Sequence, residues 1–118
     1  NVQHFSGTLT LLRENIQDAI EDDDERKKLE NELDRVDDAL KEVQDEDNPE
    51  EAKLSSAVKR LKAFVEKLDD TSTRIGKAVQ AVESGINHAQ NLSEYYNSIA
   101  QWCGWPQVPR PFLKNSGG

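Results

Sequence analysis

Asp47-Asn48-Pro49-Glu50-Glu51-Ala52-Lys53-Leu54-Ser55-Ser56-Ala57-Val58-Lys59-Arg60-Leu61-Lys62-Ala63-Phe64-Val65-Glu66-Lys67-Leu68-Asp69 is the stretch that decides the fold. Its apolar residues Leu54, Val58, Leu61, Val65 and Leu68 recur at steps of three and four, and Ala57 and Phe64 widen the stripe. That spacing lines one face of an α-helix; a half-buried strand would need strict alternation. Asn48 can accept a backbone N–H as N-cap, and Pro49 suits the first helical position, where no N–H is needed. The spacing predicts a helix over 49–69.

The same period extends in both directions. Leu29, Leu33, Val36, Leu40 and Val43 predict a helix over 24–46, and Phe5, Leu9, Leu12, Ile16, Ala19 and Ile20 another over 5–21. Between them lies Glu21-Asp22-Asp23-Asp24-Glu25, where Asp22 and Glu25 have the spacing of a capping box. A short loop is expected there, with one continuous helix as the alternative. Downstream, Asp69-Asp70-Thr71-Ser72-Thr73 offers capping side chains for a fourth helix over 72–103. Its seam runs Ile75, Val79, Val82, Ile86, Ala89, Leu92, Tyr96, Ile99 and Cys103. At 1.5 Å per residue this last helix spans about 48 Å and the third about 30 Å. It therefore overhangs its partners or breaks. Ser84-Gly85 is the expected kink or break. The preferred alternative keeps the helix straight, with Ala78, Ala81, Gly85 and Ala89 admitting a close neighbour.

Short connections make sequential helices antiparallel. The expected fold is all-α: an antiparallel bundle of four helices with coiled-coil-like packing over residues 1–103, the last helix long and either straight or kinked near Gly85. An extended Pro/Trp-rich segment over 104–114 packs on the bundle or docks elsewhere. Residues 115–118, Asn115-Ser116-Gly117-Gly118, read as a linker or appended tail. A chain of 118 residues without Met reads as a domain cut from a longer protein, or as a mature chain after processing. A core of this size is marginal, so a homo-oligomer is a second expectation.

The net charge is −8, from 15 basic and 23 acidic residues, and it is unevenly spread. Residues 1–50 hold 17 acidic and 6 basic residues, and residues 51–118 hold 6 and 9. Glu30, Glu32, Asp34, Asp37, Asp38 and Glu42 of the second helix would face Lys53, Lys59, Arg60, Lys62 and Lys67 of the third. Such exposed pairs choose the partner more than they stabilise it. The acidic half could also engage a basic protein. Nucleic acid is disfavoured as a partner, because the cations are few and interleaved. One cysteine allows no internal disulfide and no 18-residue apolar window exists, so a cytoplasmic protein is expected.

Chemistry-bearing motifs fail their spacing tests. His4 and His88 lack a Glu three residues before them, as a di-iron bundle requires. The acidic runs lack the Gly and Glu positions of a calcium loop. Ser56-Ala57-Val58-Lys59 has S-x-x-K spacing without companion motifs. Asn91-Leu92-Ser93 is a glycosylation sequon inside a helical segment. Cys103 has no neighbouring base, and no Gly-rich phosphate loop exists. No enzyme activity, cofactor or metal is expected.

The C-terminal run Tyr95-Tyr96-Asn97-Ser98-Ile99-Ala100-Gln101-Trp102-Cys103-Gly104-Trp105-Pro106-Gln107-Val108-Pro109-Arg110-Pro111-Phe112-Leu113-Lys114 gathers both tryptophans and three of the prolines. Gly104 can end the helix in a left-handed cap, and the prolines impose extended backbone. The preferred reading folds Trp102, Trp105, Val108, Phe112 and Leu113 back over one end of the bundle. A second makes Trp102, Trp105, Arg110 and Phe112 the contacts with a protein partner or neighbouring domain, since Trp and Arg favour interface hot spots. Membrane contact is disfavoured by the acidic field.

The order acidic helix, Asp/Glu-rich turn, second helix, Asn48-Pro49-Glu50 turn and Lys-rich run Leu54 to Leu68, with the ending Tyr96 to Leu113, resembles small helical modules attached to bacterial multidomain signalling and conflict-system proteins. The resemblance covers about two-thirds of the chain and carries no diagnostic site residue. It implies a regulatory or interaction domain beside an effector or NTPase domain. The expected function is protein–protein interaction within a larger assembly. The alternative is a compact acidic inhibitor, antitoxin-like or immunity-like, that blocks a basic target through residues 21–47.

Overall fold

The computed structural model describes residues 2–109. Among them the chain is all-helical, with six helices: α1 (Val2–Ala19), α2 (Asp23–Asp45), α3 (Pro49–Leu54), α4 (Ser56–Lys67), α5 (Arg74–Ala81) and α6 (Gly85–Cys103). Helices α1 and α2 are separate. Arg26 Nη1 donates to the Ile20 carbonyl at 3.0 Å and so satisfies the frayed end of α1. Asp22 Oδ1 accepts from the Glu25 N–H at 3.1 Å, which caps α2 as its spacing predicts. Asn48 Oδ1 accepts from the Glu50 N–H at 2.8 Å with Pro49 in the first turn of α3. Thr73 Oγ1 accepts from the Gly76 N–H at 3.0 Å and starts α5.

Two expected helices are each divided, so the count of four is corrected to six. The third breaks at Ser55, whose extended backbone ends α3 and begins α4. Ser55 Oγ accepts the Ala57 N–H at 3.3 Å and donates to the Ala52 carbonyl at 3.0 Å, so one side chain serves both helix ends. The preferred straight fourth helix is also corrected. Val82 is extended, Ser84 adopts the left-handed region at φ 63°, and α6 restarts at Gly85. An unbroken helix of about 48 Å would exceed the molecule's longest extent of 41 Å. Gly85 is also a point of close approach: a Cβ there would lie 2.0 Å from the Val79 carbonyl oxygen. The breaks re-phase the apolar seam. Leu54 and Ile86, both expected in the core, are 86% and 42% exposed.

Helices α1, α2, α4 and α6 contact one another in a closed ring: α1 on α2, α2 on α4, α4 on α6, and α6 on α1. Short α3 and α5 pack against α6. One continuous core forms inside the ring, with Phe5, Leu12, Ile16, Leu29, Leu33, Leu61, Leu92 and Tyr96 wholly buried. Arg13 Nη2 reaches Asp34 and Asp37 at 3.0 Å each and ties α1 to α2. The expected pairing across the second and third predicted helices occurs twice, as Arg60–Glu42 and, more loosely, Lys67–Glu32 at 4.0 Å. Among the described residues no helix is long and apolar enough to cross a membrane.

Candidate interaction surface

The geometry of the C-terminal end begins at Gly104. Its positive φ of 83° ends α6, and the Gly104 and Trp105 N–H groups both donate to the Ala100 carbonyl, at 2.7 and 2.9 Å. The chain reverses and runs back along α6. Tyr96 donates its hydroxyl to the Pro106 carbonyl at 2.9 Å. Asn97 clasps Val108 twice, donating to its carbonyl at 2.8 Å and accepting its N–H at 2.7 Å. Val108 is buried in the core and Trp105 packs partly buried against it. The Trp105 indole N–H donates to the Lys53 carbonyl at 2.9 Å. In an unbroken helix that carbonyl would accept the Ala57 N–H. The break at Ser55 therefore releases the acceptor that holds the tail.

These contacts separate the two tryptophans that the sequence groups together. Trp105 is committed within the molecule. Trp102 is 43% exposed and borders a shallow groove of about 470 Å³ with Val2, Val43, Gln44, Ser98 and Ile99, from α1, α2 and α6. Arg110 and Phe112, the other two predicted contact residues, lie outside the described residues, as does Leu113.

Directly after the groove's Val43 and Gln44, the chain reads Asp45-Glu46-Asp47. The Glu46 carboxyl is held above the ordinary carboxylate range, first by a hydrogen bond with Glu51, then by burial and by the negative charges of Glu51, Asp45 and Asp47. Like charges thus crowd beside an apolar groove.

The remaining polar candidates have ordinary surroundings. Cys103 is buried, with Sγ 3.8 Å from the Ala100 carbonyl oxygen. His4 stacks on Tyr95 with ring centroids 5.3 Å apart. Burial lowers the pKa of His88. Among the described residues no three His, Cys, Asp or Glu side chains converge as a metal site would require. Sequence reasoning missed one cluster: Lys28 and Arg35 of α2 face Arg60 and Lys67 of α4 and Arg74 of α5. The signal was present, because 28/35 and 60/67 are each seven residues apart and so share a helix face. Compared with known proteins, the chain matches no family model, no curated protein and no solved structure.

Proposed function

We propose that this chain is a non-catalytic protein–protein interaction module, an antiparallel helical bundle that regulates or assembles a larger cytoplasmic protein. The observation that carries the reading is Trp102, a large aromatic left exposed over an apolar groove while its neighbour Trp105 is consumed by the fold. Exposed tryptophan beside a groove is the usual anchor of an interface. The acidic residues next to the groove select the partner chemistry: an apolar segment flanked by Lys or Arg. The resemblance to modules of bacterial signalling and conflict-system proteins agrees with this role.

A photo-crosslinking phenylalanine at position 102, compared with the same group at exposed Ile86, tests the reading in the source cell. The expected product is a position-specific crosslink to a partner peptide that is apolar and flanked by basic residues. Equal labelling from both positions would refute it. A crosslink between two copies of the chain would make the partner a homo-oligomer.

The crowded carboxylates around Glu46 favour a second reading, the acidic inhibitor that blocks a basic target through residues 21–47. The two differ in salt response. Binding through the acidic helix weakens steeply with ionic strength, whereas anchoring through Trp102, with charges only at the rim of the groove, weakens far less.

A further inference from the structure

We propose that the groove between α2 and α4 is an anion site for a compact oligophosphate, independent of the Trp102 surface. The groove encloses about 420 Å³, within the usual range for small-ligand sites. Five cationic side chains line it: Lys28 and Arg35 from α2, Arg60 and Lys67 from α4, and Arg74 from the start of α5. One carboxylate, Glu32, joins them. In a chain of net charge −8 this is a local reversal of sign. Val36 and Phe64, both nearly buried, form its apolar floor, and a low-polarity wall strengthens the field of the cations above it.

Three of the five cations are partly neutralised from within the chain. Arg74 Nε lies 2.9 Å from Glu25, Arg60 pairs with Glu42, and Lys67 Nζ stands 4.0 Å from Glu32. Lys28 and Arg35 make no ion pair with any described residue. The site therefore retains positive charge after its own carboxylates are counted. Each intramolecular carboxylate engages one cation. A phosphate group carries nearly two negative charges and three strong acceptor oxygens, so it can bridge several cations at once. Three of the five are arginines, whose planar fork matches phosphate oxygens in pairs. Two or three linked phosphates would span cations two helical turns apart, as at Lys28/Arg35 and Arg60/Lys67. A long polyanion would extend beyond the groove into the surrounding acidic field, which favours a compact ligand.

The test is calorimetric titration of the full chain with inorganic tripolyphosphate at low and at physiological salt. Saturable one-to-one binding that weakens with salt is expected. Arg35→Gln and Lys28→Gln should each lower the affinity about tenfold, the weight of one charge-assisted hydrogen bond. Neither should change the melting temperature, since both side chains are without an ion-pair partner. Lys41→Gln, exposed elsewhere on α2, should bind as the parent does. Absence of saturable binding at low salt overturns the proposal, as does an equal loss in Lys41→Gln. Hexaglutamate binding as tightly as tripolyphosphate also overturns it, by assigning the groove to an acidic protein segment.

Discussion

Gly7 and Gly76 both lie within helices, yet an added methyl group meets different surroundings. At Gly7, on the exposed side of α1, a Cβ would have nothing within 4 Å. At Gly76, in α5, it would lie 2.0 Å from the Asp70 carbonyl oxygen, a backbone atom that cannot swing aside. Gly7→Ala should raise stability by about 0.5–1 kcal/mol, because glycine is the poorer helix former. Gly76→Ala should lower it by about 1–3 kcal/mol, as overpacking does. Urea denaturation of both variants checks the opposite signs. Ser93 gives a second residue-scale prediction. Its hydroxyl is wholly buried and has no hydrogen-bond partner. Ser93→Ala removes an unsatisfied polar group, so a gain of up to about 1 kcal/mol is expected in the same assay. Gly7 and Gly76 do not stand out in the sequence, and Ser93 does so only as the end of a sequon. What distinguishes them is the distance to a segment elsewhere in the chain, which periodicity does not encode.

At the scale of elements, local chemistry was legible and tertiary exchange was not. Asp22, Asn48 and Thr73 announce helix starts because their capping atoms act on the next two or three residues. Gly104 announces the end of α6 for a similar local reason. The interruption at Ser55 was not legible, and the one at Ser84 was legible only through Gly85, the weak helix former that marks Ser84-Gly85 as a break point. Apolar residues continue at steps of three and four across both, so the period carries no sign of a break. Each break is supported by a group from far along the chain: Trp105 on the Lys53 carbonyl, and Asn15 Nδ2 on the Glu83 carbonyl at 2.8 Å. This coupling can be measured. Trp105→Phe removes the donor to the Lys53 carbonyl and should cost about 0.5–1.5 kcal/mol, the worth of one hydrogen bond. Ser55→Ala removes the cap of α4 and should cost about 1 kcal/mol. In the double variant the Lys53 carbonyl can take the Ala57 N–H and rejoin α3 to α4. The two losses should then fall short of additivity by about 0.5 kcal/mol or more. Strict additivity would mean that the break and the tail are independent.

For the whole molecule, the sequence gives helical content and charge imbalance directly, but not which aromatic is spent on the interior. Tyr96 and Trp102 lie six residues apart on α6, and one is wholly buried while the other is exposed. Tyr96 joins the core to the returning tail through its hydrogen bond to the Pro106 carbonyl. Burial, reinforced by Cys103 and Glu66, pushes its hydroxyl pKa up to about 12. An unfolded tyrosine ionises near pH 10. Between roughly pH 10 and 12 the unfolded chain therefore releases a proton that the folded chain retains, and stability falls as pH rises. The slope from this one group is about 1.4 kcal/mol per pH unit. Below pH 10 its contribution is constant. General repulsion in a chain of net charge −8 grows over the same range, so the informative quantity is a difference between variants. Tyr96→Phe should be less stable than the parent at neutral pH by about 0.5–1.5 kcal/mol, the worth of one hydrogen bond. It cannot ionise, so its alkaline decline should be shallower, and the two stability curves should converge and cross before pH 12. Chemical denaturation at one-unit pH steps measures both curves. If they run parallel from pH 8 to 12, the phenol is open to water and the tail does not rest on α6 as described.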